Sequence, residues 1–60
     1  MISKEDFENL LATETKARNF YDELLGDIVD EKISKNIEEI RDDEIRHMEL
    51  AQRLIDIISQ

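Results

Sequence analysis

Cysteine is absent from this 60-residue chain, which excludes disulfides, thiolate metal sites and any cysteine-ligated iron centre. Proline is absent too, and Gly26 is the one glycine, so strand and tight-turn signals are missing. Tryptophan is lacking, and only Phe7, Phe20 and Tyr21 are aromatic. No apolar run is long enough to span a bilayer, and no signal peptide is visible, so a cytosolic chain is expected, free or inside a larger compartment. Basic residues are few, 8 against 16 acidic ones, for a net charge of −8. Such a surface repels nucleic acid and anionic membranes and concentrates cations. Neither nucleic acid nor membrane is an expected partner.

Helix formers dominate both halves, with apolar residues spread among the acidic ones, a pattern unlike that of disordered chains. Ser3 reads as an N-cap, followed by acidic Glu5 and Asp6. Phe7, Leu10, Glu14, Ala17, Tyr21, Leu24 and Ile28 then recur at alternating spacings of three and four. This is one face of a helix. Asp30 reads as a second N-cap. After it, Ile33, Ile37, Ile40, Glu44, His47, Ala51, Leu54 and Ile58 keep the same rhythm. The spacing predicts helices over about 4–27 and 31–58, a single all-α domain. Gly26 offers an earlier end for the first helix.

Two such helices joined by a short turn make an antiparallel hairpin, each arm nearly 40 Å long at about 1.5 Å per residue. A chain this small rarely builds a stable core alone. Packing two hairpins face to face forms a four-helix bundle and covers both apolar stripes. A homodimer is therefore expected from hydrophobic burial, before any metal is considered.

Three stripe positions are wrong for an ordinary core. Glu14 stands where the first helix should carry Leu or Ile, and Glu44 and His47 do the same on the second. Burying an unpaired carboxylate costs several kcal/mol, about 2–7 for a neutral polar group and more for a charge. Residues equidistant from the turn lie side by side in a hairpin. The midpoint of Glu14 and Glu44, and that of Glu14 and His47, both fall at the predicted turn. All three thus share one layer, which a dimer doubles to four carboxylates and two imidazoles. One Glu from each of two helices, with Glu-x-x-His from each of the other two, is the donor set of di-iron carboxylate bundles. Residues three apart share a helix face, so Glu44 is placed to bridge two ions while His47 caps one. Four carboxylates balance two divalent ions. Imidazole and carboxylate suit iron or manganese, whereas structural zinc sites favour thiolate.

The stretch from Glu14 to Tyr21, ETKARNFY, resembles the first metal-binding helix of rubrerythrins. Asp43-Glu44-Ile45-Arg46-His47 with Leu50-Ala51-Gln52-Arg53-Leu54-Ile55 resembles the second helix of rubrerythrins and bacterioferritins. The separation of Glu14 from Glu44 within one hairpin is most similar to encapsulated ferritins. The resemblance implies a ferritin-like four-helix bundle with a di-iron site shared by two identical hairpins. It also implies ferroxidase activity, the oxidation of Fe(II) by dioxygen or peroxide. Carried over, Glu14 is a terminal ligand, Glu44 the bridging ligand and His47 the nitrogen ligand, with two irons per dimer.

Two further readings stand beside the oxidoreductase one: a metal-binding dimer without turnover, and a purely structural dimerisation bundle whose polar layer fixes register. Tyr21, one heptad past Glu14, reads equally as a core tyrosine or as a hydrogen-bond donor to a ligand carboxylate. Asp43 reads as a solvated residue or as the group that orients a partner's His47. Met48, Phe7 and Phe20 are assigned to packing, and Glu38, Glu39 and Asp42 to a solvated face. Arg18, Arg41, Arg46 and Arg53 are expected to form ion pairs along the helices.

Overall fold

A computed structural model describes all 60 residues. The chain folds into two helices, α1 (Lys4–Asp27) and α2 (Glu31–Ile58), with no strand. They form an antiparallel hairpin 45 Å long and 16 by 13 Å across. Both helices start where local chemistry satisfies their free amides. Asp6 N–H donates to Ser3 Oγ (3.4 Å) and Ser3 N–H donates to an Asp6 carboxylate oxygen (2.9 Å), a reciprocal capping box. At the second start, Ile33 N–H donates to Asp30 Oδ1 at 3.0 Å.

Three residues, Ile28, Val29 and Asp30, make the turn. Ile28 leaves the helix with an extended ψ of 128°, while its N–H still reaches the Leu24 carbonyl at 3.0 Å. No residue has a positive φ. Gly26 therefore does not end α1. It sits inside the last turn, and a Cβ added there would meet nothing within 4 Å. Glycine at this position only enlarges the conformational freedom of the unfolded chain. Gly26→Ala is expected to raise stability by about 0.4–1 kcal/mol, measured by urea unfolding at fixed protein concentration.

The helices touch along two stripes of alternating three and four spacing. On α1 these are Phe7, Leu11, Glu14, Arg18, Tyr21, Leu25 and Ile28, all half-buried. On α2 they are Ser34, Ile37, Arg41, Glu44, Met48, Ala51 and Ile55, and only Ala51 and Ile55 are fully buried. Ala51 has no exposed surface at all, because its small side chain lets the helices approach. Two buried residues out of 60 do not make a hydrophobic core. Part of the apolar stripe read from the sequence, most of it on α2, turns away from the partner helix. Leu10 on α1, and Ile33, Ile40, Leu54 and Ile58 on α2, are exposed on one open side. Phe20, assigned above to packing, is exposed as well.

An ion-pair clamp closes the hairpin on one edge. Arg41 Nη1 lies 3.2 Å from Asp22 across the helix gap and also contacts Asp42. Arg18 approaches the same Asp22 at 3.7 Å from one turn earlier. The hydrogen bond that Arg41 donates to the Asp22 carboxylate raises the Arg41 pKa above its ordinary value, against a smaller opposing effect of desolvation. The sequence reading placed these arginines in pairs along single helices. Arg41 instead bridges the two, since it lies on the inner stripe.

Candidate metal centre

Glu14 projects from the middle of α1, and Glu44 and His47 project from the middle of α2 one turn apart. The hairpin brings the three together: one donor atom from each lies within 4.8 Å of the other two. His47 Nδ1 is 3.4 Å from Glu14 Oε2. Two donors to one transition-metal ion, each at about 2.0–2.2 Å, stand at most about 4.4 Å apart. Small side-chain rotations therefore suffice to close this trio on a single ion.

Burial differs among the three and follows from their stripes. Glu14 and Glu44 belong to the inner stripe and are half-buried, Glu14 with a side chain 19% exposed. His47 falls between Ile40 and Leu54 on the open side, and its side chain is 54% exposed. Glu44 Oε2 is buried and has no hydrogen-bond partner. A buried carboxylate oxygen without a donor is uncommon and costly, because nothing replaces the water it gave up. A cation would supply what is missing. Two carboxylates and one imidazole also match a divalent ion in charge and in donor preference. On the orphaned oxygen and on the donor chemistry, these residues fit a metal such as iron or manganese.

The two residues proposed to support the ligands behave differently. Tyr21 is half-buried on the inner stripe of α1. Its ring is tilted against Phe20, with centroids 5.8 Å apart at 53°. Asp43 is exposed and forms an ion pair with Arg46 one turn along α2. Within one hairpin its carboxylate is thus engaged by arginine rather than by the His47 ring. The Arg41–Asp22 clamp, one turn from Glu44 toward the loop, was not read from the sequence. The equal-distance rule that aligned Glu14 with Glu44 sets Asp22 level with residues 36–39, so it is the reach of the long Arg41 side chain back toward the turn that makes the contact. A shallow groove on α2 is lined by Arg46, Glu49, Leu50 and Arg53.

No helix is long and apolar enough to cross a membrane. No protein-family model matches the chain, nor does any curated protein or solved structure.

Proposed function

We propose that two copies of this hairpin pack through their open apolar sides into a ferritin-like four-helix bundle. Two divalent ions, iron in the first place, would be shared by Glu14, Glu44 and His47 of each copy. The reaction is a ferroxidase one, in which each Fe(II) gives up one electron to dioxygen or peroxide. The observation that carries the reading is the convergence of one donor atom from each of the three residues within 4.8 Å. One of the three, Glu44, also has a buried oxygen without a partner.

The chain's own groups define the roles. Glu44 has one oxygen buried in the hairpin with no hydrogen-bond donor beside it, and with Glu14 and His47 it would hold the ions. Glu14 approaches from the facing helix and holds the His47 ring near by at 3.4 Å. His47 points to the open side, so the second copy would cover it and exclude bulk water. The surrounding acidic surface draws in cations over a distance set by ionic strength.

A non-catalytic metal staple is favoured by a different observation, the near absence of buried core in one hairpin. Metal would then supply stability rather than turnover. Aerobic addition of ferrous iron separates the two. Ferroxidase function predicts oxidation well above the buffer rate, slowed by at least about tenfold in Glu44→Ala, a loss of at least about 1.4 kcal/mol in barrier lowering. Metal binding with a buffer-like oxidation rate would leave the staple.

A further inference from the structure

We infer that Asp22 is a positioning residue for the metal centre: it holds the Arg18 and Arg41 guanidinium groups away from the ligand carboxylates and so keeps Glu14 and Glu44 open to a cation. This rests on the metal reading above and adds to it a residue that is not itself a ligand.

Two cations stand one turn from the two ligand carboxylates, on the same inner stripes. Arg18 follows Glu14 by four residues on α1, and Arg41 precedes Glu44 by three on α2. Both spacings make neighbours on a helix surface, with Cβ atoms about 5–6 Å apart. Helical side chains lean toward the N-terminus, so Glu44 leans toward the turn of helix that carries Arg41. An acid four residues ahead of a base, as in Glu14 and Arg18, is also the favoured order of a helical ion pair. Bonds from guanidinium to carboxylate are among the strongest polar contacts a protein makes. On local grounds, then, both ligands should be neutralised from within the chain, and a cation would find the centre closed.

The hairpin forms neither pair. Arg41 Nη1 lies 3.2 Å from Asp22 Oδ1, and Arg18 Nε lies 3.7 Å from Asp22 Oδ2. The two arginines share one carboxylate, which stands four residues past Arg18, the poorer order for a helical pair. Asp42 takes another nitrogen of Arg41 at 3.3 Å. Neither arginine forms an ion pair with Glu14 or Glu44: Glu14 meets His47 instead, and the buried Glu44 Oε2 has no partner. A buried oxygen one turn from a guanidinium stays unpaired only where that guanidinium is bonded elsewhere, because leaving the oxygen without a donor is costly. Asp22 supplies that bond from the facing helix. It lies eight residues past Glu14, about 12 Å along the axis, too far to join the donors itself.

Manganous ion titrated into the purified protein, followed by the electron paramagnetic resonance of the free ion, reads the effect without turnover. Asp22→Asn keeps the size of a side chain that is 45% exposed and removes the charge that holds both arginines. Arg41 then turns to Glu44, and the dissociation constant rises at least about tenfold when no more than one molecule in ten keeps the centre open. Arg41→Gln breaks the same clamp from the other side, yet leaves the constant at the parent's value or below it. Combining Asp22→Asn with Arg41→Gln recovers most of the loss. A clamp that only ties the helices predicts otherwise: both single variants weaken binding alike, and the double variant is no better. That result, or Asp22→Asn binding as the parent does, overturns the inference and leaves the metal centre standing. At about 1 M salt, where the screening length falls to about 3 Å, the loss persists for a direct Arg41–Glu44 pair. Its disappearance there marks a through-space effect of charge and also overturns the inference. A parent that binds no manganese rejects the metal reading, and this role with it. If Asp22→Asn does not fold, Arg41→Gln decides alone: binding as tight as the parent's upholds the inference, and binding about tenfold weaker overturns it.

Discussion

Glu44→Leu is expected to stabilise the metal-free protein and to abolish its response to metal. The wild-type side chain keeps one carboxylate oxygen buried with no donor beside it. Leucine removes that unmet group and adds apolar contact at a stripe position between Arg41, Met48 and Ala51, where the helices meet. Replacing buried ionic groups with apolar residues of similar volume is often worth about 1–4 kcal/mol of stability. For a chain of this size, about 1 kcal/mol corresponds to roughly 4–8 °C in melting temperature. The comparison belongs in chelator, at one protein concentration, because dimer stability depends on concentration. Glu44→Gln separates charge from shape: it keeps the volume and should recover only part of the gain. A Glu44→Leu protein that melts below the parent in chelator would mean that the carboxylate already has a stabilising partner, and the cation argument would lose its physical basis.

Metal should do the opposite to the parent. Ferrous or manganous ion at about one hundred times its dissociation constant is expected to add about 2.7 kcal/mol for a single site that the unfolded chain lacks. That is a rise of roughly 10–20 °C in melting temperature. Glu14→Ala and His47→Ala should each lose most of it. The double variant should be little worse than either alone, since groups that act on one ion are not additive. Equal stabilisation of parent and double variant would show metal acting elsewhere, for instance by screening the acidic surface, and would reject this centre. Magnesium at the same concentration is the control for such screening, as it favours all-oxygen sites and keeps its water.

The sequence carried the hairpin because its signals are local. Capping by Ser3 and Asp30 depends on residues within one turn, and both caps occur where the side chains stand. The alternating spacing of apolar residues depends only on the helical repeat. The common level of Glu14, Glu44 and His47 follows from counting residues out from the turn, and the structure has their donor atoms within 4.8 Å. Gly26 was less legible. Glycine marks a helix end only when a left-handed residue is required, and Ile28 ends α1 in extended backbone without one.

The division of the apolar stripes into inner and open parts lay beyond the sequence. Periodicity reports that a face is apolar but not which part of it a given neighbour covers. A single helix covers only a fraction of its partner's circumference, and the rotation of each helix about its axis sets which residues are covered. That rotation placed Glu44 on the inner stripe and His47, one turn away, on the open side. It also turned Arg41 inward to Asp22, and left Phe20, Leu50 and Ile57 exposed.

The sequence alone thus determined two capped helices, a short turn and three ionisable groups at one height, because each depends on neighbours in the chain or on counting from the turn. Only the tertiary structure decided which carboxylate oxygen is stranded without a donor and which faces remain uncovered. Those depend on the relative rotation and separation of the helices, a property of their packing that no spacing along one chain encodes.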